Sequence, residues 1–272
     1  MKIAIASLDQ AWEDKKANMV LCESFIKNAS IEFADLIIFP EMTLTGFSAI
    51  NTDLSEDTSK SETLEWFSNI SKKYGIDIIF GALLHGEKIT TPSNMLCVSN
   101  SSGIVKPLYS KIHLFSPSGE DGYLSSGNKI VTHRIGDITF GFAICYDLRF
   151  PEIFSAMAGT CEAIVVIANW PSSRINHWNI LLRARAIETG SAIFGVNRSG
   201  IDGNSIKYGN NSSMLVMPSG EVKDAIFLSG NLGIYEIDKQ QLKDCYNNFP
   251  TIQDKRYDLY KNILKEKVDV QK

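Results

Sequence analysis

Several features that would assign this chain to a common functional class are missing from its sequence. The five cysteines lie far apart and form no CxxC pair, which argues against a disulfide framework and indicates reduced thiols. The four histidines show no HxxxH or paired Cys/His spacing, so no metal site is expected. No glycine-rich loop of the GxGxxG or GxxxxGKS/T type occurs, so a dinucleotide or ATP has no recognisable phosphate-binding loop.

Charge and hydropathy argue against two further classes of partner. The 272 residues carry a formal net charge of −4 without an evident basic face, so we expect no nucleic-acid partner. The longest apolar stretches are far shorter than the roughly 20 residues of a membrane span. Asp9, Glu13 and Asp14 follow the first apolar run too soon for a secretory signal. We therefore expect a cytoplasmic protein that does not bind a membrane.

Apolar runs rich in β-branched residues recur along the chain and predict strands covered on both faces. These runs are 3–6, 36–39, 76–84, 95–98, 138–144, 163–168, 192–196, 214–217 and 232–237. Helical patterns lie between them at 14–33, 63–74, 151–158 and 174–189, the last followed by Gly190 as a C-cap. The alternation predicts a layered α/β domain with mixed sheets over residues 1–250. A polar tail, 251–272, could pack at a subunit interface.

A thiol stands where a predicted strand meets a predicted helix. The apolar run 138–144 ends at Cys145, and Pro151 and Glu152 begin the next helix. Backbone N–H groups at such a boundary favour a thiolate and can hold an oxyanion. A lone cysteine there is nevertheless more often a small buried hydrophobe. A thiol nucleophile also needs a base, and none of the histidines stands in a context that suggests one.

Three other ionisable residues could act together with this thiol. Glu41 follows an apolar strand and Pro40, Lys111 lies in an apolar and aromatic stretch, and Glu120 lies in a loop. Each has an ordinary alternative, namely a solvated carboxylate for the glutamates and a side chain that reaches water for the lysine. Together with Cys145 they supply a base, a cation and a nucleophile at strand ends or in loops, where ligand sites of α/β sheets gather.

These stretches resemble the nitrilase, or carbon–nitrogen hydrolase, superfamily. Pro40-Glu41 is similar to its glutamate motif, the KIHLF segment 111–115 to its lysine motif, and the CYDLRFP segment 145–151 to its cysteine motif. The motifs occur in the family's order, and the resemblance runs from residue 3 to about residue 260. It implies a four-layer αββα sandwich that pairs into homodimers or larger homo-oligomers.

The resemblance also implies a reaction without a metal or an organic cofactor. Cys145 is then the nucleophile that forms a thioester with a small-molecule amide, Glu41 the general base, and Lys111 the cation that stabilises the tetrahedral intermediate. Glu120 orients the lysine, and the backbone N–H of Tyr146 completes the oxyanion site. We expect Lys111 and the nearby helix start to lower the pKa of the Cys145 thiol.

A narrower resemblance concerns the substrate. The stretches 168–178, 181–190 and 196–204 are similar to those of bacterial ω-amidases, which deamidate 2-oxoglutaramate and 2-oxosuccinamate. We expect Trp170 to reach the cleft, Arg174 to bind a substrate carboxylate, and His177 to share the helix face of Arg174. Purely structural contacts are the alternative for all three residues.

Other functions remain open at this stage. Relatives that act on N-carbamoyl amines or deaminated glutathione share much of the same core, and a non-catalytic binding protein of this fold is a further alternative. One departure from the family pattern concerns the substrate side, because Asn211-Ser212-Ser213 stands where many members carry Gly-x-Ser.

Overall fold

The structure, a computed structural model, describes residues 1–48, 50–87, 91–210 and 212–265, so Asn211 lies outside the described residues. The strands are β1 (Lys2–Ala6), β2 (Leu36–Ile38), β3 (Glu56–Asp57), β4 (Asp77–His85), β5 (Ser93–Ser99), β6 (Val105–Ser110), β7 (Thr132–Ile135), β8 (Ile138–Ile144), β9 (Ala163–Ala168), β10 (Ala192–Asn197), β11 (Gly200–Ile201), β12 (Lys207–Tyr208), β13 (Met214–Val216), β14 (Val222–Lys223), β15 (Phe227–Ser229) and β16 (Leu232–Glu236). The helices are α1 (Lys15–Ile31), α2 (Glu62–Tyr74), α3 (Pro151–Met157), α4 (Ile175–Thr189), α5 (Lys239–Asn248) and α6 (Tyr257–Ile263).

Two sheets form the centre of the molecule. The first has the order β15-β16-β1-β2-β4-β5-β6, with β3 beside β4, and the second has the order β14-β13-β10-β9-β8-β7. Strand β1 is parallel to β2 and antiparallel to β16. In the second sheet, β9 is parallel to both β8 and β10, whereas β13 is antiparallel to β10. The prediction of mixed sheets is therefore confirmed.

Alternating side chains of the central strands contribute to different hydrophobic layers. In β1, Ile3 and Ile5 pack against the second sheet, whereas Ala4 and Ala6 pack in the cluster formed with α1 and α2. In β8, Phe142 faces the first sheet and Ala143 packs with α3 and α4. Both faces of the strands are covered, which explains their continuous apolar runs. The result is the predicted four-layer αββα sandwich.

Helix boundaries follow local capping chemistry, with one departure from expectation. Helix α4 ends at Gly190, which adopts the left-handed conformation with φ of +62°, as predicted. Its start is later than predicted, because Ser172–Arg174 form a separate 3₁₀ turn. Strands β11 and β12 escaped prediction because each contains only two residues. Within the described ranges, no helix is long and apolar enough to cross a membrane.

The ends of several central strands meet at one place. Glu41 follows β2, Cys145 follows β8 and Asn169 follows β9, while Lys111 directly follows β6 and Asn94 lies near the start of β5. Parallel neighbours end at the same edge of a sheet, which brings polar residues after β8 and β9 together. The sandwich then places this edge beside the end of β2.

The position of Glu41 depends on a close approach of its turn to Gly81 in β4. The Gly81 amide donates to Oγ1 of Thr43 at 2.9 Å. A Cβ on Gly81 would lie 2.4 Å from the Met42 nitrogen and 2.9 Å from the Glu41 Cα. Such distances require the turn or the strand to shift, because the neighbouring atoms belong to the backbone.

We therefore expect Gly81→Ala to lower the free energy of unfolding by about 1–3 kcal/mol, the usual range for overpacking a well-packed interior. Gly86→Ala, near the end of the same strand, is the matched control, since its Cβ would meet no described atom within 4 Å. Urea unfolding of the three proteins measures the difference. Equal midpoints for all three would contradict the proposed steric conflict.

Candidate active site

Three charged side chains form a cluster in the interior. Nζ of Lys111 donates to Oε1 of Glu41 at 2.9 Å and to Oε2 of Glu120 at 2.8 Å, and all three residues have 0% exposure. Burial alone would lower the pKa of Lys111, but the charges of Glu41 and Glu120 outweigh burial and raise that pKa above its usual value. Lys111 is therefore an ammonium group at neutral pH.

Neutral N–H donors complete the coordination of the two carboxylates. Nδ2 of Asn94 donates to Oε1 of Glu41 at 2.7 Å and to Oε1 of Glu120 at 3.2 Å. The backbone N–H of Phe115 donates to Oε2 of Glu120 at 2.6 Å, and that of Asn169 donates to Oε2 of Glu41 at 2.9 Å. These donors complete the hydrogen bonding of two fully buried carboxyl groups around one cation.

Cys145 lies beside this cluster at the floor of a cavity. Its backbone φ is +46°, a left-handed conformation that a residue with a Cβ adopts at a cost of about 1–2 kcal/mol. The conformation turns the chain sharply from β8 into the 3₁₀ turn Cys145–Arg149, so the thiol is presented at the strand end. Sγ lies 4.0 Å from the carbonyl oxygen of Asn169, whose N–H binds Glu41. Asn169 thus links the thiol to the carboxylate.

The protonation state of the thiol differs from expectation. Burial raises the pKa of the Cys145 thiol well above its usual value, and the negative charge of Glu41 raises it further, while Lys111 acts in the opposite direction. The prediction of a lowered pKa is therefore wrong, because it counted Lys111 and the helix start but omitted the burial of the thiol and the two carboxylates. The resting thiol keeps its proton, and a base must remove it during attack.

The Asp147 carboxylate joins the lysine and cysteine motifs. Its Oδ1 accepts from the backbone N–H of His113 at 2.8 Å and lies 2.9 Å from Nδ1 of the same histidine. Its Oδ2 accepts from the Tyr109 hydroxyl at 2.8 Å and from the Ile144 amide at 3.0 Å. The His113 ring stacks on Phe150 with centroids 3.7 Å apart. The loop that carries Cys145 is thereby fixed to the segment that carries Lys111.

Tyr146 occupies the position that its predicted role requires. It lies in the first turn of the Cys145–Arg149 helix, where backbone N–H groups have no partner within the helix. Its side chain lines the same cavity as Cys145. A substrate oxygen near the thiol could therefore meet this N–H group. The oxyanion role remains a prediction.

The cavity above the thiol is small, with a volume of about 80 Å³, and its wall includes Trp170 and Arg174. Nε1 of Trp170 donates to the Arg174 carbonyl at 2.8 Å, and the Arg174 guanidinium lies 5.5 Å from the centre of the Phe115 ring. A second arginine, Arg149, also lines the cavity and lies over the Trp170 ring at 4.7 Å. Two arginines thus line the same small cavity as the thiol.

His177 is not brought to this wall. It lies on an exposed part of α4, where its Nδ1 is 3.3 Å from both Nη1 and Nη2 of Arg149. Arg174 belongs to the preceding 3₁₀ turn, so the two residues do not share a helix face. The other predicted residues, Glu41, Lys111, Glu120, Cys145, Tyr146, Trp170 and Arg174, all lie in the cluster or on the cavity wall.

Sequence reasoning assigned no role to Asn94, Asn169 or Asp147. Asn169 offered the same signal as Glu41 and Cys145, because it directly follows an apolar strand. Asn94 and Asp147 gave no such signal, since an isolated polar residue in a strand or turn is common. Their importance is visible only from partners that are 53 and 34 residues away in sequence.

The arrangement is suited to nucleophilic substitution at a carbonyl. A thiol lies next to a carboxylate that can accept its proton, and a buried ammonium can stabilise negative charge on oxygen. The carboxylate can later return the proton to a leaving group. Each of these steps uses side chains of the chain itself.

Comparison with known proteins agrees with this chemistry. The family model described as carbon-nitrogen hydrolase matches residues 2–246. The 2-oxoglutaramate amidase of Bacillus subtilis is 29% identical over 259 residues, covering 95% of this chain and 98% of that protein. The omega-amidase YafV of Yersinia enterocolitica is 32% identical over 221 residues, covering 79% and 81%, respectively.

A crystal structure of a CN-hydrolase superfamily protein from Xanthomonas campestris, which carries an arsenic adduct in its active site, superimposes with a TM-score of 0.85. The two chains are 26% identical, and the match covers 94% of this chain and 97% of that one. Fold, family model and amidase-named relatives agree, and the chain therefore belongs to the carbon–nitrogen hydrolase family as an enzyme of the amidase type.

Proposed function

We propose that the protein is an ω-amidase that hydrolyses 2-oxoglutaramate or 2-oxosuccinamate to the 2-oxo dicarboxylate and ammonia. The observation that carries the proposal is the cavity of about 80 Å³ whose wall includes Cys145 together with Arg149 and Arg174. Such a space suits a short amide whose far end is a carboxylate. Similarity to a 2-oxoglutaramate amidase and to omega-amidases supports the same substrate class.

In the first half of the proposed reaction, Cys145 attacks the amide carbon. Glu41 takes the thiol proton as the S–C bond forms, and the carbonyl electron pair moves onto oxygen. Lys111 and the Tyr146 N–H stabilise that oxyanion, and one such donor is typically worth about 3–4 kcal/mol of barrier. The C–N bond then breaks while protonated Glu41 gives its proton to the nitrogen, which leaves as ammonia.

In the second half, water hydrolyses the thioester. Glu41 accepts a proton from the water as its oxygen attacks the same carbon, and the same two donors stabilise the second tetrahedral intermediate. Breaking of the C–S bond releases the carboxylic acid, and the sulfur regains a proton from Glu41. Glu120 holds Lys111 in place throughout through its 2.8 Å contact, and no metal or organic cofactor takes part in the proposed steps.

The competing substrates differ in size and in products. Deaminated glutathione is a much larger molecule than a five-carbon amide and would have to extend out of the cavity. N-carbamoyl amines yield carbon dioxide as well as ammonia. Ammonia and carbon dioxide release measured on 2-oxoglutaramate, 2-oxosuccinamate, deaminated glutathione and simple N-carbamoyl amines therefore separates the three activities. Greater turnover of either of the last two classes would reject the ω-amidase proposal.

We expect Cys145→Ala to abolish turnover without loss of the fold, because the methyl group fits the space but cannot form a thioester. Ammonia release is the assay, and thermal unfolding provides the control for the fold. Cys97→Ala is a matched control, since Cys97 is buried in the cluster formed with α1 and α2 and should affect stability rather than turnover. If Cys145→Ala released ammonia at the rate of the unsubstituted enzyme, the thioester route would be refuted.

We expect Arg174→Ala to raise KM for 2-oxoglutaramate about tenfold or more, which corresponds to about 1.4 kcal/mol of lost carboxylate binding. Arg183→Ala is the matched control in α4, because the Arg183 guanidinium binds the Gly220 carbonyl at 3.1 Å and should leave KM unchanged. An unchanged KM for Arg174→Ala would remove that arginine from substrate binding.

We also propose that the protein forms a homodimer or a larger homo-oligomer. Apolar side chains on α4 and directly after α6 support this proposal, since Ile180, Ile187 and Leu264 are 65%, 58% and 70% exposed in the single chain. Sedimentation velocity measures the mass, and a monomer at micromolar concentration would contradict the proposal.

The five free cysteines favour a reducing, cytoplasmic location.

A further inference from the structure

We propose that Asn94 is a positioning residue that holds Glu41 and Glu120 around Lys111 and leaves a single oxygen of Glu41 to act as the base. This inference rests on the proposed function in one respect, because it assumes that Glu41 accepts the thiol proton. It does not depend on the identity of the substrate.

The Asn94 side chain duplicates the contacts of Lys111 with the two glutamates. Its Nδ2 contacts Oε1 of Glu41 and Oε1 of Glu120 at 2.7 and 3.2 Å. Nζ of Lys111 contacts the same two oxygen atoms at 2.9 and 3.1 Å. The two carboxylates are therefore bridged twice, once by an ammonium and once by a neutral amide. Asn94 has 0% exposure, so water does not replace it.

The charge balance explains why a second bridge is needed. Two carboxylates around one ammonium leave a net charge of −1 in a fully buried site, and such a charge is unstable without donors. An amide NH₂ group has two N–H bonds, and both of those of Asn94 are directed at the carboxylates. Its Oδ1 has no hydrogen-bond partner among the described residues. The orientation of the amide thus favours donation to the glutamates over pairing of its own oxygen.

The same contacts distinguish the two oxygens of Glu41. Oε1 receives the Lys111 and Asn94 donors, which together occupy its two lone pairs. Oε2 receives one short bond, from the Asn169 N–H at 2.9 Å, and a longer one of 3.5 Å from Nδ2 of the same residue. The Asn169 carbonyl faces the thiol of Cys145. Oε2 is therefore the Glu41 oxygen that can accept a further hydrogen bond, and it is bonded to Asn169, the residue that also contacts the Cys145 thiol.

A purely structural role of Asn94 can be separated from this one. The backbone carbonyl of Asn94 accepts from the Lys111 amide at 2.9 Å, a contact that no side-chain substitution removes. The ionisable groups that face Glu41 in the described part of the chain are Lys111, Glu120 and Cys145. Among the neutral side chains, Asn94 contacts both glutamates through one atom, so its replacement changes their charge balance directly.

The test uses Asn94→Leu, which keeps the approximate shape and removes both N–H donors. Iodoacetamide labelling of Cys145, quantified by peptide mapping across pH 5–9, reports base-assisted reactivity without any substrate. Asn94→Leu removes two hydrogen-bond donors from the pair of carboxylates, so we expect the acid limb of the labelling profile to move to higher pH by about one unit. The kcat for ammonia release should fall by about tenfold to a hundredfold with little change in KM.

Ser99→Ala is the matched control on the same strand. Ser99 is also fully buried, and its hydroxyl contacts Ser71 and Phe67. The substitution removes these contacts, so it should lower the free energy of unfolding without moving the acid limb. Asn94→Asp, which preserves the shape more closely, replaces Asn94→Leu if the latter does not fold, and should move the limb in the same direction. A limb that coincides with that of Ser99→Ala would overturn the proposal. Absence of ammonia release by the unsubstituted enzyme would instead reject the amidase substrate, and the labelling profile would still test Asn94.

Discussion

The ion pairs of Lys111 with two fully buried carboxylates are the interactions on which the rest of the site depends. Removing three charges from water is costly, and mutual attraction compensates for it only when the geometry is good and the remaining lone pairs have donors. Here the donors come from an asparagine side chain and from two backbone N–H groups on separate segments. The fold must therefore bring four segments together, at residues 41, 94, 111–120 and 169, before the charges are stable. A cluster with only some of these hydrogen bonds would be less stable than an apolar core in the same place.

The same cluster determines how the thiol reacts. Because its net charge is negative, it opposes a resting thiolate, and burial acts in the same direction. A thiol that keeps its proton and the nearby Glu41 carboxyl group supply the proton donor and the acceptor that attack requires. Proton transfer can then accompany formation of the S–C bond, so the enzyme need not hold a reactive anion between turnovers. The buried ammonium contributes when charge develops on the substrate oxygen, which is the stage at which stabilisation lowers the barrier.

The residues of this site that the sequence predicted are polar or reactive residues that end or interrupt an apolar stretch. Glu41 and Cys145 end apolar strands, and Lys111 interrupts an apolar stretch, so each is unusual without any knowledge of the fold. Continuous apolar runs likewise predicted strands covered on both faces. Asn94 and Asp147 are unremarkable in their own segments, and their roles follow from contacts with distant residues. The direction of the pKa shift of Cys145 also required the fold, because it depends on the sum of all nearby charges. His177 was misplaced because a 3₁₀ turn delays the start of α4.

The catalytic groups and the cavity wall are held by different parts of the structure. The turn after Glu41 is fixed by the side chain of Gln10. Its Nε2 donates to the backbone carbonyls of residues 41, 42 and 43 at 3.1, 2.9 and 3.1 Å. Met42 in that turn has φ of +46°, a conformation that such contacts maintain. The wall, by contrast, includes hairpin residues such as Ile206. Substitution of wall residues can change the substrate without disturbing the cluster, whereas a change in the turn displaces the base for every substrate. Differences in specificity between members of this family are therefore expected to reside in the wall.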